Sequence, residues 1–270
     1  MLELKYMDEP TRQHWVPKVY LRQFATADTA NWDVPQINVY DTQTNKRFCT
    51  SIDNIAVKRH LYTIGVNESE KLYAVENVLS LIETKAKPYL AELAKGNNVQ
   101  IIEGARWVLS IFLATLLVRN PRMHGLLHDY RDDLKKGTRF GRTSVTTKFG
   151  KKTYEWSKDE WKWFSELDGE GMHIIFSRSV LWSAKPIANV LLKMKWCLIG
   201  ASTGEFVTAD NPLSVYHPSK RSWGIATLGA HIHLAISPKY MLFIGTELPV
   251  AENKTYLMPA EGIDGFNSVN

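Results

Sequence analysis

Between Ile101 and Val118 the chain is apolar on nearly every side, and this run constrains everything around it. A helix without a polar face must be enclosed, by protein or by lipid. Lipid does not fit. The densest part, Trp107 to Val118, is interrupted by Ser110 and Thr115 and bracketed by Arg106 and Arg119. It falls short of the ~20 apolar residues of a membrane span. The run therefore predicts a buried central helix wrapped by other parts of the same chain. Leu72, Val75, Leu79, Ile82, Ala86, Tyr89 and Leu93 recur at alternating three and four, which predicts a second long helix with one apolar seam. Asn67 or Ser69 would cap it, Pro88 would kink it, and Gly96-Asn97-Asn98 would end it. Asn120-Pro121 interrupts the central helix, and Arg122 to Leu134 reads as another, stopped by Gly137. Ser157-Lys-Asp-Glu160 is a capping box before Trp161, Phe164 and Leu167. Met172 to Lys195 reads as one helix bent at Pro186.

Strands flank this helical middle. Gln36–Asp41 and Arg47–Ile52, joined by the polar turn 42–46, predict a β-hairpin. Leu61–Ile64, Trp196–Gly200, Phe206–Ala209, Ile232–Ile236 and Tyr240–Gly245 read as further short strands. Near the N-terminus, Pro17 suits the first position of a short helix bearing Tyr20, Leu21 and Phe24, with His14 and Trp15 just before it. So short a helix has little stability alone, so it should dock on the second long helix and carry His14 with it. The order predicts an α+β fold: long kinked helices around one buried helix, an N-terminal hairpin and a C-terminal antiparallel β-rich region. One domain over residues 1–270 is expected, with a basic, mobile excursion at 135–153.

With 44% hydrophobic and 23% charged residues, the chain is of globular rather than disordered composition. The charged residues Glu3, Lys5, Asp8 and Glu9 leave no room for a secretory signal. Cys49 and Cys197, without a CxxC, read as ordinary buried thiols in a reducing compartment. A soluble, cytoplasmic protein with no membrane partner is expected. The net charge of +5 is concentrated: Lys135, Lys136, Arg139, Arg142, Lys148, Lys151 and Lys152 follow one another with no acid between. Such a segment could neutralise phosphates while Trp156, Trp161 and Trp163 stack bases, although Trp161 also fits a buried helix face. Nucleic acid, a nucleotide or a protein is the partner this predicts.

Separate stretches also share one resemblance. His14-x-Val16-Pro17-x-x-Tyr20-Leu21-x-x-Phe24, the Val39-Tyr40-Asp41 hairpin strand, a helix with two glutamates (Glu76 and Glu83), Arg119-Asn120-Pro121, Ala209-Asp210-Asn211-Pro212 and Ser237-Pro238 occur in this order. Together they resemble domain-of-unknown-function family 4238, widespread in prokaryotes and phages. Ala209 departs from that family's usual Ser, and the family is expected to continue past Asn270 into a terminal helix. The resemblance implies no established chemistry; it implies a setting in phage defence or counter-defence.

Seven residues apart, Glu76 and Glu83 lie on one side of their helix, beside the apolar seam. Two carboxylates there could bind a divalent metal, Mg or Mn, once further ligands arrive from elsewhere. His14 and Asp210 are the candidates, and such a cluster could activate water for phosphodiester hydrolysis. Arg119 could grip the phosphate through a forked bond, with Asn211 beside it. The bland alternatives are solvated acids, Glu83 paired with Lys87, an Asx turn at Asp210, and Arg119 capping its own helix. Gly200-Ala-Ser202-Thr-Gly204 has the letters of a nucleophile elbow, but a strand is expected after it, so a hairpin turn is predicted. His231-x-His233 and the pair His124/His128 have metal-binding spacing without a clear third ligand. The leading expectation is a metal-dependent phosphodiesterase or nuclease using His14, Glu76, Glu83, Arg119, Asp210 and Asn211. The alternative is a non-catalytic sensor or inhibitor that binds through the basic segment.

Overall fold

The computed structural model describes residues 10–65, 71–97, 103–139, 145–149, 152–218, 224–248 and 251–267. Its first part is a set of short elements. Strand β1 (Arg12–His14) leads into helix α1 (Lys18–Leu21) and a 3₁₀ turn (Arg22–Phe24); the hairpin β2 (Gln36–Asp41) and β3 (Lys46–Ser51) follows. Then come β4 (Val57–Arg59), which pairs with β1, and the two-residue strands β5 (Ile64–Gly65) and β6 (Lys71–Leu72), which pair with each other. The helical middle comprises α2 (Ala74–Ala94), α3 (Glu103–Val118) and α4 (Pro121–Arg139), then the hairpin β7 (Val145–Phe149) and β8 (Lys152–Trp156), then α5 (Lys158–Glu166), α6 (Gly169–Trp182) and α7 (Ala184–Leu192). The chain ends in β9 (Lys195–Ala201), β10 (Leu213–Tyr216), β11 (His231–Ser237), β12 (Tyr240–Gly245), β13 (Thr255–Met258) and α8 (Ala260–Asn267). The class is α+β, as the order of elements predicts.

The C-terminal strands form one sheet in the order β10-β11-β12-β9-β13, antiparallel except where β13 runs parallel to β9. Alternation along the strands divides it into two faces. Trp196, Leu198, Leu213, Ile232, Leu234, Ile236, Leu242 and Ile244 share one core with Leu109, Phe112, Leu113 and Leu116 of α3 and with Val16, Tyr20 and Leu21. Cys197, Ile199, Ala235, Met241 and Phe243 face the other way and pack with Ile263 of α8. The central helix α3 lies against α2 and α7. No helix among the described residues is long and apolar enough to cross a membrane.

Several expectations change on contact with the fold. Pro17 is the N-cap of α1 rather than its first residue, with ψ 139°. α2 begins at Ala74 without a side-chain cap, and Asn67 and Ser69 lie outside the described residues. Leu72 pairs in β6 instead of joining the seam, and only Ile64 of the stretch Leu61–Ile64 belongs to a strand. α4 runs through Gly137 to Arg139, since one glycine costs a helix only about 1 kcal/mol. Met172–Lys195 is two helices parted at Ser183, and Pro186 sits in the first turn of α7, where its missing N–H costs little. Phe206–Ala209 forms no strand: the buried Phe206 is held by its N–H on the carbonyl of Pro238, 2.9 Å. Gly200 and Ala201 accordingly end β9 and residues 202–204 form a loop leaving it, not a hairpin turn. Of the two thiols Cys197 is buried, but Cys49 is exposed on β3. The capping box is present as predicted, with Ser157 and Glu160 bonded reciprocally.

Candidate functional site

The N-terminal motif is held by an interlocking set of bonds. β1 pairs His14 with Val57 and Gln13 with Lys58. The fully buried Gln13 donates from its amide to Thr63 Oγ1 at 2.9 Å and accepts from the Tyr62 N–H at 2.6 Å. One turn later, Tyr20 Oη donates to the carbonyl of Ala235 on β11, 2.6 Å, and lies 2.7 Å from Thr208 Oγ1. Val16, Tyr20 and Leu21 sink into the main core, which is why so short a helix is stable here.

Arg119 occupies the centre, on the residue after α3. It is 1% exposed; Nη1 donates to Glu83 Oε1 at 2.8 Å and Nη2 to the carbonyl of His14 at 2.5 Å. Its own carbonyl accepts from Tyr62 Oη at 2.6 Å. Burial disfavours its charge, yet the Glu83 carboxylate holds the guanidinium firmly protonated. Glu83 thus pairs with Arg119, not with Lys87. Arg119 is not the phosphate clamp expected from the sequence: its terminal amines are already engaged and the side chain is sealed from solvent.

Glu76 stands beside this ion pair, whereas the His14 imidazole lies among Lys18, Asp53 and Ile52; both are half-buried. Burial, then the Lys18 ammonium, pushes the His14 imidazole down to about 4, against the opposing pull of Asp53. Burial raises the Glu76 carboxyl to about 7; Arg119 and Lys18 oppose this and the Glu83 charge adds to it. His14 Nε2 and Glu76 Oε2 are both buried without a hydrogen-bond partner. Buried polar atoms are usually bonded, so these two, with the likewise unpartnered Arg119 Nε, are a feature of a site rather than of a core. Lys18, which acts on both groups, is itself ion-paired with Asp53 at 3.0 Å.

The late loop reaches the site through its backbone. The Asp210 carbonyl accepts from Trp15 Nε1 at 3.0 Å and from Asn120 Nδ2 at 3.2 Å. Asp210 itself is exposed and Asn211 half-buried. Among the described residues no three His, Cys, Asp or Glu side chains gather as a ligand set, so His14, Glu76, Glu83 and Asp210 do not form a metal cage. The chemistry of the orphan atoms still suits a divalent ion, one oxygen and one imidazole nitrogen, if water or substrate completes the shell.

Of the basic segment, Lys135 and Lys136 stand on α4, with Lys136 on Asp133 at 3.0 Å. The backbones of α4, β7 and β8 place Arg139, Lys148 and Lys152, while Arg142 and Lys151 lie outside the described residues, as does part of the excursion expected to be mobile. Trp163 is exposed on α5. His124 and His128 approach at 3.4 Å between Nε2 atoms, and His173 bonds the carbonyl of Thr63 at 2.9 Å. Sequence reasoning missed Gln13, Trp15, Tyr62 and Asn120 as supports of the site. For Gln13, Trp15 and Asn120 the available signal was their place in or beside the motif and Arg119; Tyr62, 57 positions from Arg119, carried none.

The model of a family described as "Protein of unknown function (DUF4238)" matches residues 12–268. No curated protein and no solved structure matches the chain.

Proposed function

The chain belongs to the DUF4238 family, and from that premise we propose that it is a hydrolase of phosphodiester bonds in nucleic acid or nucleotides, working in phage defence or counter-defence. One observation carries the reading: two titratable groups with orphaned buried atoms are driven in opposite directions, Glu76 beside the Arg119–Glu83 pair and His14 across the Lys18 that acts on both. A carboxyl that titrates at about 7 is matched to proton transfer at neutral pH. Ionised, Glu76 takes a proton from the attacking water; protonated, it returns one to the leaving oxygen. His14, neutral at that pH and bonded to backbone through its other ring nitrogen, leaves Nε2 with a free lone pair suited to an ion. Arg119 is a positioning residue that fixes the backbone of His14 and the carboxylate of Glu83.

Mg²⁺ or Mn²⁺ would be held by Glu76 and His14, with Asp210 of the late loop a further candidate, and would supply charge neutralisation at the phosphate. The basic residues from Lys135 to Lys152 would track the nucleic-acid backbone. Their clustering also favours a second reading, a non-catalytic binding protein. Glu76→Gln separates the two, because it removes the titration and keeps the shape. Hydrolysis of a phosphodiester substrate, with Mg²⁺ or Mn²⁺ and with EDTA, should fall by about 100-fold or more in the variant. Absence of any wild-type hydrolysis, together with polyanion binding that Lys148→Glu and Lys152→Glu weaken, would establish the binder instead.

A further inference from the structure

On the face of the sheet that carries α8, away from the helical layer, a cleft of about 370 Å³ is lined by Tyr216, His231, His233, Phe243 and Phe266 with two glycines of α8. That volume falls within the ~300–1,000 Å³ of small-molecule sites. Strand register builds it. Tyr216, His231 and Gly245 form one row across β10, β11 and β12; Ser214, His233 and Phe243 form the next. At Gly245 a Cβ would meet Leu248 Cδ2 at 2.6 Å and the His231 ring at 3.2 Å, so the glycine lets both side chains close in on that row.

The walls are ring planes in two orientations. Phe243 is tilted at 32° to His233 with centroids 4.9 Å apart, and Phe266 stands edge-on to His233 at 4.8 Å and 88°. His231 meets Phe243 edge-on at 5.2 Å. In this apolar setting His233 is only 4% exposed and its Nε2 has no hydrogen-bond partner. A phenylalanine would fill the same space without that penalty, so the nitrogen requires another explanation. Among the described residues no Lys, Arg, Asp or Glu lines the cleft, which disfavours a phosphate or other charged ligand. A metal is disfavoured too, because no third ligand gathers with the two histidines among the described residues.

From this geometry we infer that the cleft binds a neutral, planar heteroaromatic molecule of nucleobase or nucleoside kind, packed against Phe243 and Phe266 and hydrogen-bonded by His233. Such rings prefer offset-stacked and edge-on contacts, and both are on offer here. Burial holds the His233 imidazole down to about 4, so at neutral pH it can donate or accept, as a nucleobase edge requires. The inference is independent of the hydrolase reading, since it concerns the opposite face of the sheet.

Adenosine and guanosine are the probes, with ribose as the non-aromatic control, added to the full chain and followed by saturation-transfer NMR and calorimetry. The expected result is saturation of the base protons and none of ribose, with affinity weakened at least about tenfold by His233→Phe, which keeps the ring but removes the nitrogen. Phe266→Leu, at a half-buried position, should also weaken it and carries the test if His233→Phe does not fold. No binding of either nucleoside, or binding that neither variant changes, overturns the inference. Zn²⁺ binding lost in His233→Phe, without nucleoside binding, overturns it in favour of a two-histidine metal site.

Discussion

Arg119 ties the N-terminal motif to the helical layer, and its value lies in the shape of the guanidinium. Two amines act in two directions, one on Glu83 and one on the His14 carbonyl, while Tyr62 lies 5.8 Å from its charge and bonds its carbonyl. An ammonium is a point charge and cannot make that fork. Arg119→Lys should therefore release either the carboxylate or the β1 backbone and destabilise the fold by about 2 kcal/mol. Arg119→Ala leaves a partly buried carboxylate without a partner. That typically costs about 3–5 kcal/mol, and the lower end is expected because Glu83 keeps 19% exposure. Urea denaturation measures both; an unchanged midpoint in either would mean that Arg119 is not the tie described. The sequence placed Arg119 beside a helix end in a recognisable tripeptide, yet which partner its charge meets depended on residues 36 positions away.

Elements here start and stop for local reasons in some places and tertiary reasons in others. α5 begins at a capping box readable in four residues. α2 ends at Gly96, which has φ +81° and donates its N–H to the Leu93 carbonyl at 3.0 Å. That much follows from glycine's freedom in the left-handed region. The second constraint is invisible in sequence: a Cβ on Gly96 would collide with the ring of Tyr240 on β12. Gly96→Ala should cost about 1–2 kcal/mol for the backbone and more for the collision. Adding Tyr240→Ala should recover the collision part alone, so the double variant would be more stable than the two single losses predict. Calorimetric melting of all four proteins tests this, and strict additivity would contradict it. The break at Ser183 is the converse case, where a run apolar enough for one helix is divided by what α6 and α7 each pack against.

For the molecule as a whole, buried titratable groups set the acid response. His14 and His233 both titrate at about 4 when folded, against 6.5 as free side chains. Their contribution is present above about 6.5 and is lost as pH falls towards 4, because the unfolded chain takes up protons that the folded one refuses. Glu76 acts in the opposite sense. Its folded value of about 7 lies above 4.5, so its contribution is complete below 4.5 and disappears as pH rises through 7. Between pH 5 and pH 6.5 the two histidines outweigh the one glutamate, and stability from these groups rises with pH. Glu76→Gln should steepen that rise and His233→Phe should flatten it. Unfolding midpoints at pH 5, 6 and 7 for the three proteins decide the matter, and parallel curves would refute the assignment.

Periodicity and chain order alone determined the α+β class, the central helix α3, the first hairpin, and strands β9, β11 and β12, because burial of an apolar face is a local pattern written at fixed spacing. The N-terminal motif and the two glutamates were likewise legible as belonging to one family and one neighbourhood. What those side chains do there was decided by tertiary structure. Coulomb and desolvation energies depend on distance and burial, and neither can be read from residues separated by up to 215 positions, as Tyr20 and Ala235 are. Thus Arg119 proved to be an internal counter-ion rather than a surface clamp. Glu76 and His14 acquired opposite shifts because burial raises an acid and lowers a base, and a His-x-His spacing too weak to interpret became the wall of an aromatic cleft once β10, β12 and α8 closed around it.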